Sequence, residues 1–201
     1  MAISRERFDQ GLTVEQYKRQ MTRNRDVFEA NEASATLRPE DEAFFRELPH
    51  VVNTLVITED WCGDALANVP VLAKLAEQTG KLNLRLFLRD QNLDLADQYL
   101  KEGKYRSVPV FVFFDDDMRE LGHFIERPAQ ATAEMAADAE RLAAEHPELP
   151  GVGGSFDTMS DEAKQARMQS LRELRDRRGA TWTEWLLDEV KRLLSAEPAS
   201  R

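Results

Sequence analysis

Cysteine is almost absent from this sequence, which has a single one, Cys62, among 201 residues. One cysteine cannot form a disulfide within the chain, so a hydrophobic core must stabilise the fold. The 42% content of hydrophobic residues is sufficient for such a core in a chain of this length. A chain without disulfides is typical of a reducing compartment, and we expect the protein to be cytoplasmic.

Long hydrophobic segments are also missing. No apolar stretch approaches the ~20 residues that a helix needs to cross a bilayer, which excludes a transmembrane helix. Residues 1–12 are rich in charge and contain no apolar run, so we expect no signal peptide.

Positive charge is scarce relative to negative charge. The sequence has 27 lysines and arginines against 37 aspartates and glutamates, which gives a formal net charge of −10. Because nucleic acids and anionic membranes bind clustered basic residues, we expect neither as a partner. His50, His123 and His146 have no Cys or His neighbour at the spacing of metal ligands, so we expect no metal site and no other cofactor.

What the sequence does offer is a thiol between a predicted strand and a predicted helix. An apolar, β-branched run over residues 51–58 is typical of a buried strand, and a short acidic turn follows it. Cys62 then opens a helix predicted over residues 62–79, for which Gly80 is the stop signal. The first N–H groups of a helix have no partners within it and stabilise negative charge, so this position favours a thiolate.

Nearby acidic residues oppose that effect. Glu59, Asp60 and Asp64 lie close to Cys62 in sequence, and one carboxylate at ~6 Å destabilises a thiolate by on the order of 1–3 kcal/mol. The helix terminus contributes about 0.3–1 kcal/mol in the opposite direction. Because these contributions roughly cancel, we expect the pKa of Cys62 near its ordinary value of ~8.5 or modestly below it.

Strands and helices alternate around Cys62 in the order βαβαββα. The expected elements are strand 51–58, helix 62–79, strand 82–89, helix 93–102, strands 108–114 and 118–125, and a helix over about 129–146 that covers the sheet. A strand, a helix and a second strand in succession predict two parallel strands, the second of which alternates apolar and polar residues as an edge strand does. Asp115–Asp117 predicts the tight turn of an antiparallel hairpin.

Helical segments are expected on the N-terminal side of this core. Residues 1–12 are polar, and we expect them to be loosely held. Thr13 and Gln16 form a capping box for a helix that ends near Asn31, and Pro39 opens a second helix.

Two more helices are expected on the C-terminal side. After a loop over residues 147–155, one helix runs over about 160–178 and stops at Gly179, and a capping box of Thr181 and Glu184 opens the other. The predicted organisation is an N-terminal helical extension (1–49), a core (50–146), and a linker with a C-terminal helical extension (147–201).

Three parts of the sequence read as motifs. They are Trp61-Cys62-Gly63-Asp64-Ala65, Pro70 within the following helix, and Arg106-Ser107-Val108-Pro109-Val110. The first resembles the Trp-Cys-Gly-Pro-Cys active site of thioredoxins, the second the proline that kinks their helix, and the third the segment whose cis-proline faces the active-site sulfur. The resemblance implies a thioredoxin-like α/β fold, with a central mixed four-stranded sheet flanked by helices and extra N- and C-terminal helices.

The departures from the thioredoxin pattern are as informative as the matches. Ala65 replaces the resolving cysteine, Asp64 replaces the central proline of the motif, and Val56 stands where thioredoxins bury an aspartate that handles protons for the resolving cysteine. The two losses are consistent with each other, because without a resolving cysteine the aspartate has no proton to handle. The sequence resembles most a bacterial branch of thioredoxin-like proteins with a Trp-Cys-Gly-Asp motif.

The resemblance implies a monothiol thiol–disulfide oxidoreductase that uses an external resolving thiol. The candidate catalytic residues are Cys62 as nucleophile, Asp64 as a modulator of protons, and Arg127, whose position approaches the sulfur in thioredoxins. The candidate substrate-binding residues are Trp61, Gly63, Val108 and Pro109, and Arg89 and Arg106 are further candidates for an electrostatic role. The partner would be a protein disulfide or a low-molecular-weight thiol.

A second hypothesis fits the same residues. The chain could be a non-catalytic thioredoxin-fold binding or redox-sensing module that recognises a protein partner over the groove at Pro109. Cys62 would then be a relic or a redox tag rather than a nucleophile.

Overall fold

The elements of the fold are taken from a computed structural model that describes residues 3–195. In chain order they are α1 (Arg5–Asp9), α2 (Val14–Gln20), α3 (Arg25–Ser34), α4 (Pro39–Arg46), β1 (Val52–Thr58), α5 (Gly63–Thr79), β2 (Leu82–Leu88), α6 (Leu93–Ala96), β3 (Val110–Phe114), β4 (Glu120–Ile125), α7 (Ala129–Glu145) and α8 (Asp161–Ser195). None of the helices in this described range is both long and apolar enough to span a membrane.

The described chain divides into two compact units. The first contains residues 3–127 and 187–195, and the second contains residues 128–186. The domain boundaries predicted near residues 50 and 147 stay a prediction.

A mixed sheet with the strand order β2-β1-β3-β4 forms the centre of the first unit. β1 pairs in parallel with β2 and antiparallel with β3, and β3 and β4 form the predicted hairpin. Every residue of β1 is buried, as its continuous apolar sequence predicts for a central strand. α5 packs against β2, and the turn between β1 and α5 lies at the carboxyl ends of the two parallel strands.

The N-terminal residues of the described chain are held more firmly than predicted. α1 buries Phe8 completely, and its ring packs edge-on against Phe114 of β3 with the centroids 6.5 Å apart. Leu12 forms a β-bridge with Leu86, so it covers the outer edge of β2. The expectation of a loose segment over residues 1–12 was therefore wrong for its described part, because one phenylalanine supplies a strong apolar anchor.

The helix predicted from Thr13 to Asn31 is two helices, although the Thr13–Gln16 capping box is present as predicted. The chain leaves the helical path between α2 and α3, where Asn24 has a left-handed backbone with φ of 54°. The Asp60 carboxylate accepts hydrogen bonds from the backbone N–H groups of Thr22 and Arg23 at 2.8 and 3.1 Å. A side chain distant in sequence thus satisfies the backbone at the break.

The helix predicted over residues 93–102 is also shorter than expected. α6 ends at Ala96, and the chain then forms a tight turn closed by a β-bridge between Lys101 and Tyr105. Glu102 and Gly103 both have positive φ, at 54° and 69°, which is incompatible with continuing a right-handed helix.

The second unit contains α7 and most of α8. The predicted stop at Gly179 and the capping box of Thr181 and Glu184 were wrong, because α8 continues through all three residues. Arg178 and Trp182, one helical turn apart, both donate to Glu134 of α7, at 2.7 Å in each case. This shared acceptor holds the helix together across Gly179, whose cost in a helix interior is only about 1 kcal/mol.

The end of α8 belongs to the first unit, where it is tied to α4 by a buried carboxylate. Asp41 is fully buried and accepts hydrogen bonds from Arg38 at 2.7 Å and from Lys191 at 2.6 Å. Asp188 also pairs with both cations. These ion pairs fix the last turns of α8 to the first unit.

Candidate functional site

The candidate site is built around Cys62, which is the N-cap residue of α5. Its Sγ–H donates to the carbonyl oxygen of Val108 at 3.2 Å. The Val108–Pro109 peptide bond is cis, and both residues are buried. The fold therefore brings together two motifs that lie 46 residues apart in the chain.

The remaining residues of the first motif differ in exposure. Trp61 and Gly63 are exposed, whereas Asp64 and Ala65 are buried in the first turn of α5. Cys62 itself is partly buried and is a free thiol. Ala65 therefore occupies a position without contact to solvent, where a second sulfur would face the protein interior.

Burial raises the pKa of the Cys62 thiol above its ordinary value. The backbone N–H groups of Ala65 and Asp64 and the positive charge of Arg127 favour the thiolate, while the Asp64 carboxylate disfavours it. The prediction of a pKa near or modestly below the ordinary value was wrong, because the balance of charges and helix terminus took no account of burial.

Asp64 and Arg127 form an ion pair next to the sulfur. Their side chains are only 10% and 16% exposed, so the ion pair is largely excluded from solvent. Arg127 also lies 3.3 Å from the Glu126 carboxylate. The guanidinium therefore faces two acidic residues, and the positive charge that Cys62 senses is partly compensated.

The backbone that carries Arg127 is held by groups that the sequence analysis did not single out. Glu126 has a φ of 67°, a left-handed conformation that is uncommon for a residue with a side chain. Its N–H donates to the carbonyl of Pro109 at 2.7 Å, and its carbonyl accepts from Asn68 Nδ2 at 2.9 Å. Asn68 lies one turn after Asp64 on the buried face of α5, and that i,i+4 spacing of polar residues was the available signal.

The other two acidic residues near Cys62 are engaged by backbone N–H groups. Burial raises the pKa of Glu59, whose carboxylate accepts from the N–H of Asp90 at 2.9 Å. Asp60 accepts from the segment between α2 and α3, as described above. Behind them lies the fully buried ring of Tyr17, and burial raises the pKa of its hydroxyl to about 12. These N–H groups therefore offset part of the predicted repulsion between the Cys62 thiolate and the carboxylates of Glu59 and Asp60.

The two other arginines proposed for an electrostatic role, Arg89 and Arg106, form ion pairs with carboxylates near the pocket. Arg89 pairs with Asp90 at 2.8 Å and lies over the ring of Trp61, 5.1 Å from its centroid. Arg106 pairs with Asp97 at 2.6 Å.

A pocket of about 700 Å³ opens beside the sulfur. Its lining consists of Trp61, Cys62, Asp64, Arg89, Asp97, Leu100, Lys104, Tyr105, Arg106, Ser107, Val108 and Glu126. This volume is in the range of pockets that hold small molecules. Within residues 3–195, no group of three or more His, Cys, Asp or Glu side chains is arranged to hold a metal ion.

Comparisons with known proteins bear on the family and the fold. A family model described as thioredoxin matches residues 11–141. No protein of curated function matches the chain. A similar solved structure is that of a protein of unknown function, PA1234, from Pseudomonas aeruginosa, with 16% identity, a TM-score of 0.65, and coverage of 96% of this chain and 98% of that one.

An HIV epitope-scaffold of the 4E10 type is similar as well, with 16% identity, a TM-score of 0.64, and coverage of 95% of this chain and 96% of that one. At this level of identity the two structures establish the fold alone. The predicted α/β fold, with a mixed four-stranded sheet flanked by helices, is confirmed.

Proposed function

Because the chain belongs to the thioredoxin family, whose model covers residues 11–141, we propose that it is a monothiol thiol–disulfide oxidoreductase in which Cys62 is the nucleophile. The observation that carries this proposal is the position of the sulfur. It lies at the N-cap of α5, 3.2 Å from the carbonyl before a cis-proline, and lines an open pocket.

The reaction proceeds by two thiol–disulfide exchanges. Cys62 loses its proton, and the thiolate attacks one sulfur of a substrate disulfide. The substrate S–S bond breaks, a Cys62 mixed disulfide forms, and the leaving thiolate takes up a proton. In the second exchange an external thiolate attacks the mixed disulfide, forms a new disulfide with the substrate fragment and releases Cys62. Because residue 65 is alanine, no neighbouring sulfur can perform this step within the chain.

Asp64 and Arg127 set the protonation of the nucleophile in this proposal. The thiol is the resting form, since burial raises the pKa of Cys62. The Arg127 guanidinium stabilises the thiolate as it forms, and Asp64 moderates that effect through the ion pair. Trp61 and Gly63, which are exposed, and the backbone of Val108 and Pro109 shape the surface on which a substrate lies.

The proposal extends to the partner and the compartment. The substrate is a protein disulfide or a low-molecular-weight thiol in its disulfide form. A cytoplasmic location would supply the external thiol, and the single cysteine of the sequence supports this assignment.

A turnover assay tests this function. The wild type and Cys62→Ser are incubated with 2-hydroxyethyl disulfide and an excess of a small thiol, and the formation of the disulfide of that small thiol is followed by chromatography. We expect acceleration over the uncatalysed rate with the wild type alone. The proposal is wrong if the wild type is no faster than Cys62→Ser when circular dichroism shows that both are folded.

One observation favours the alternative of a binding or redox-sensing module. The raised pKa of Cys62, together with the bond from Sγ–H to Val108, makes the thiol a weak nucleophile at neutral pH. In a binding module, the wild type and Cys62→Ser would capture a protein partner equally well. In the oxidoreductase, capture depends on Cys62 and is reversed by a reductant.

A further inference from the structure

Almost all charged side chains that line the pocket are neutralised by a partner. Arg89 pairs with Asp90, Arg106 with Asp97, Asp64 with Arg127, and Glu126 with Lys101. Lys104 is the exception: it lines the pocket, is exposed, and has no ion-pair partner within the described part of the chain. Among the residues that the structure describes, the pocket wall therefore presents one uncompensated positive charge, on a chain with a net charge of −10.

The backbone that carries Lys104 is ordered by its own hydrogen bonds. The Lys104 and Tyr105 N–H groups both donate to the carbonyl of Lys101, at 3.0 Å each, and the Lys101 N–H donates to Tyr105 at 2.9 Å. The side chains on either side of this turn are also anchored, Lys101 by Glu126 at 2.8 Å and Arg106 by Asp97. The backbone of the turn is thus ordered, and it places Lys104 at the wall of the pocket.

Two exposed aromatic rings accompany this charge. Trp61 is 45% exposed and Tyr105 is 58% exposed, and both line the pocket. Large aromatic side chains with such exposure are common at sites that contact a ligand, because they offer apolar area at low entropic cost. The pocket therefore combines a sulfur, two apolar surfaces and the positive charge of Lys104.

We infer that the disulfide accepted at Cys62 is a low-molecular-weight compound that carries a carboxylate, which pairs with Lys104 while its apolar part contacts Trp61 and Tyr105. This inference rests on the proposed function and names its substrate class. A charged group on the wall of a pocket selects among substrates by electrostatic complementarity. The pocket of about 700 Å³ is large enough for such a compound.

The chemical step is the first exchange already described. The Cys62 thiol gives up its proton, its sulfur forms a bond to one sulfur of the anionic disulfide, and the other sulfur leaves as a thiolate that is protonated by solvent. No oxidant is needed beyond the disulfide itself. Lys104 makes and breaks no covalent bond, so it is a specificity-determining residue rather than a catalytic one.

The test compares anionic, neutral and cationic disulfides in single-turnover reactions with Cys62. The anionic reagent is 5,5′-dithiobis(2-nitrobenzoate), the neutral one is 4,4′-dithiodipyridine, and the cationic one is cystamine. Each is mixed in excess with the wild type, Lys104→Gln, and the matched control Lys74→Gln, which removes a lysine on α5 that does not line this pocket. Because every variant meets the same reagents, differences in leaving group cancel when rate ratios are compared.

We expect Lys104→Gln to lower the ratio of the anionic to the neutral rate by about two- to fivefold at low ionic strength, as for an exposed ion pair. The cystamine rate should rise, and added salt should reduce both effects. Lys74→Gln should leave the ratios unchanged. An unchanged anionic-to-neutral ratio in Lys104→Gln would overturn the substrate class while leaving the proposed function intact. A Cys62 that reacts with none of the three reagents would overturn both.

Discussion

Replacing Asp64 by asparagine is the most informative perturbation of the site. The substitution keeps the size of the side chain and removes one negative charge from the first turn of α5. Asp64 disfavours the Cys62 thiolate and Arg127 favours it. Asp64→Asn should therefore lower the pKa of Cys62, because the repulsion disappears while the attraction of Arg127 is no longer compensated.

The size of the change follows from one removed charge. A unit charge at ~6 Å interacts with a thiolate by on the order of 0.7–3 kcal/mol for an effective dielectric constant between 80 and 20. That energy corresponds to a decrease of about 0.5–2 in the pKa. Asp64 and Arg127 are only 10% and 16% exposed, which favours the larger part of this range.

The assay is the pH dependence of the rate at which iodoacetamide alkylates Cys62, the only thiol in the chain. Asp97→Asn is the matched control, because it breaks the ion pair with Arg106 in the same pocket without removing a charge that shifts the pKa of Cys62. Thermal unfolding of each variant establishes that the alkylated form is native.

Arg127→Gln should shift the pKa in the opposite direction, and the double variant should lie between the two single variants. The electrostatic reasoning is refuted if Asp64→Asn leaves the pKa of Cys62 unchanged or raises it, or if Asp97→Asn lowers that pKa by as much as Asp64→Asn does. It is also refuted if Arg127→Gln lowers the pKa.

Three further predictions concern stability and are measured by urea unfolding. Burial raises the pKa of Cys62 in the folded chain above the unfolded value of ~8.5. The contribution of the neutral thiol to the free energy of unfolding is therefore fully present below that pH and is lost as the pH rises further. The stability of the wild type relative to Cys62→Ser should fall above pH ~8.5, and a difference that stays constant with pH would contradict this. Asp41→Ala should destabilise the fold by about 2–3 kcal/mol, because it leaves Arg38 and Lys191 without their buried partner; a loss below ~0.5 kcal/mol would contradict the role of these ion pairs. Gly179→Ala should stabilise the fold by about 0.5–1 kcal/mol, since an added Cβ meets no atom within 4 Å beyond the adjacent backbone of its own helix. A destabilisation would argue against a continuous α8.

The parts of the fold that the sequence predicted are those with local signals. The continuous apolar run of β1 identified a central strand, and the alternation in β2 identified an edge strand, which is its place in the sheet. The capping box at Thr13 and the three aspartates before β4 were likewise read from neighbouring residues. In each case the determining interaction lies within a few residues of the chain.

The errors came from interactions between distant residues. The break between α2 and α3 depends on Asp60, which lies 38 residues from Thr22. The continuity of α8 depends on Glu134, 44 residues before Arg178. No periodicity within either helix carries this information, so tertiary contacts overrode the local stop and start signals.

The candidate site divides in the same way. The motif around Cys62 and the proline segment were recognisable from residue types, and the fold brings them into contact. The direction of the pKa shift was missed because burial is a property of the folded chain. Lys104 and Tyr105 were missed because the preceding segment was taken for a longer helix, when a turn with positive φ places them at the pocket.

The central claim is that Cys62 in the folded protein forms a mixed disulfide that an outside thiol resolves. Its most direct test is a chase followed by intact-mass spectrometry, in which the protein is loaded with one disulfide, freed of reagent, and mixed with a second thiol in native buffer and in urea. We predict a single adduct on Cys62 of the native chain and its complete release by the second thiol in native buffer, without unfolding. Failure of the native chain to load, or an adduct that is released only in urea, would contradict the account.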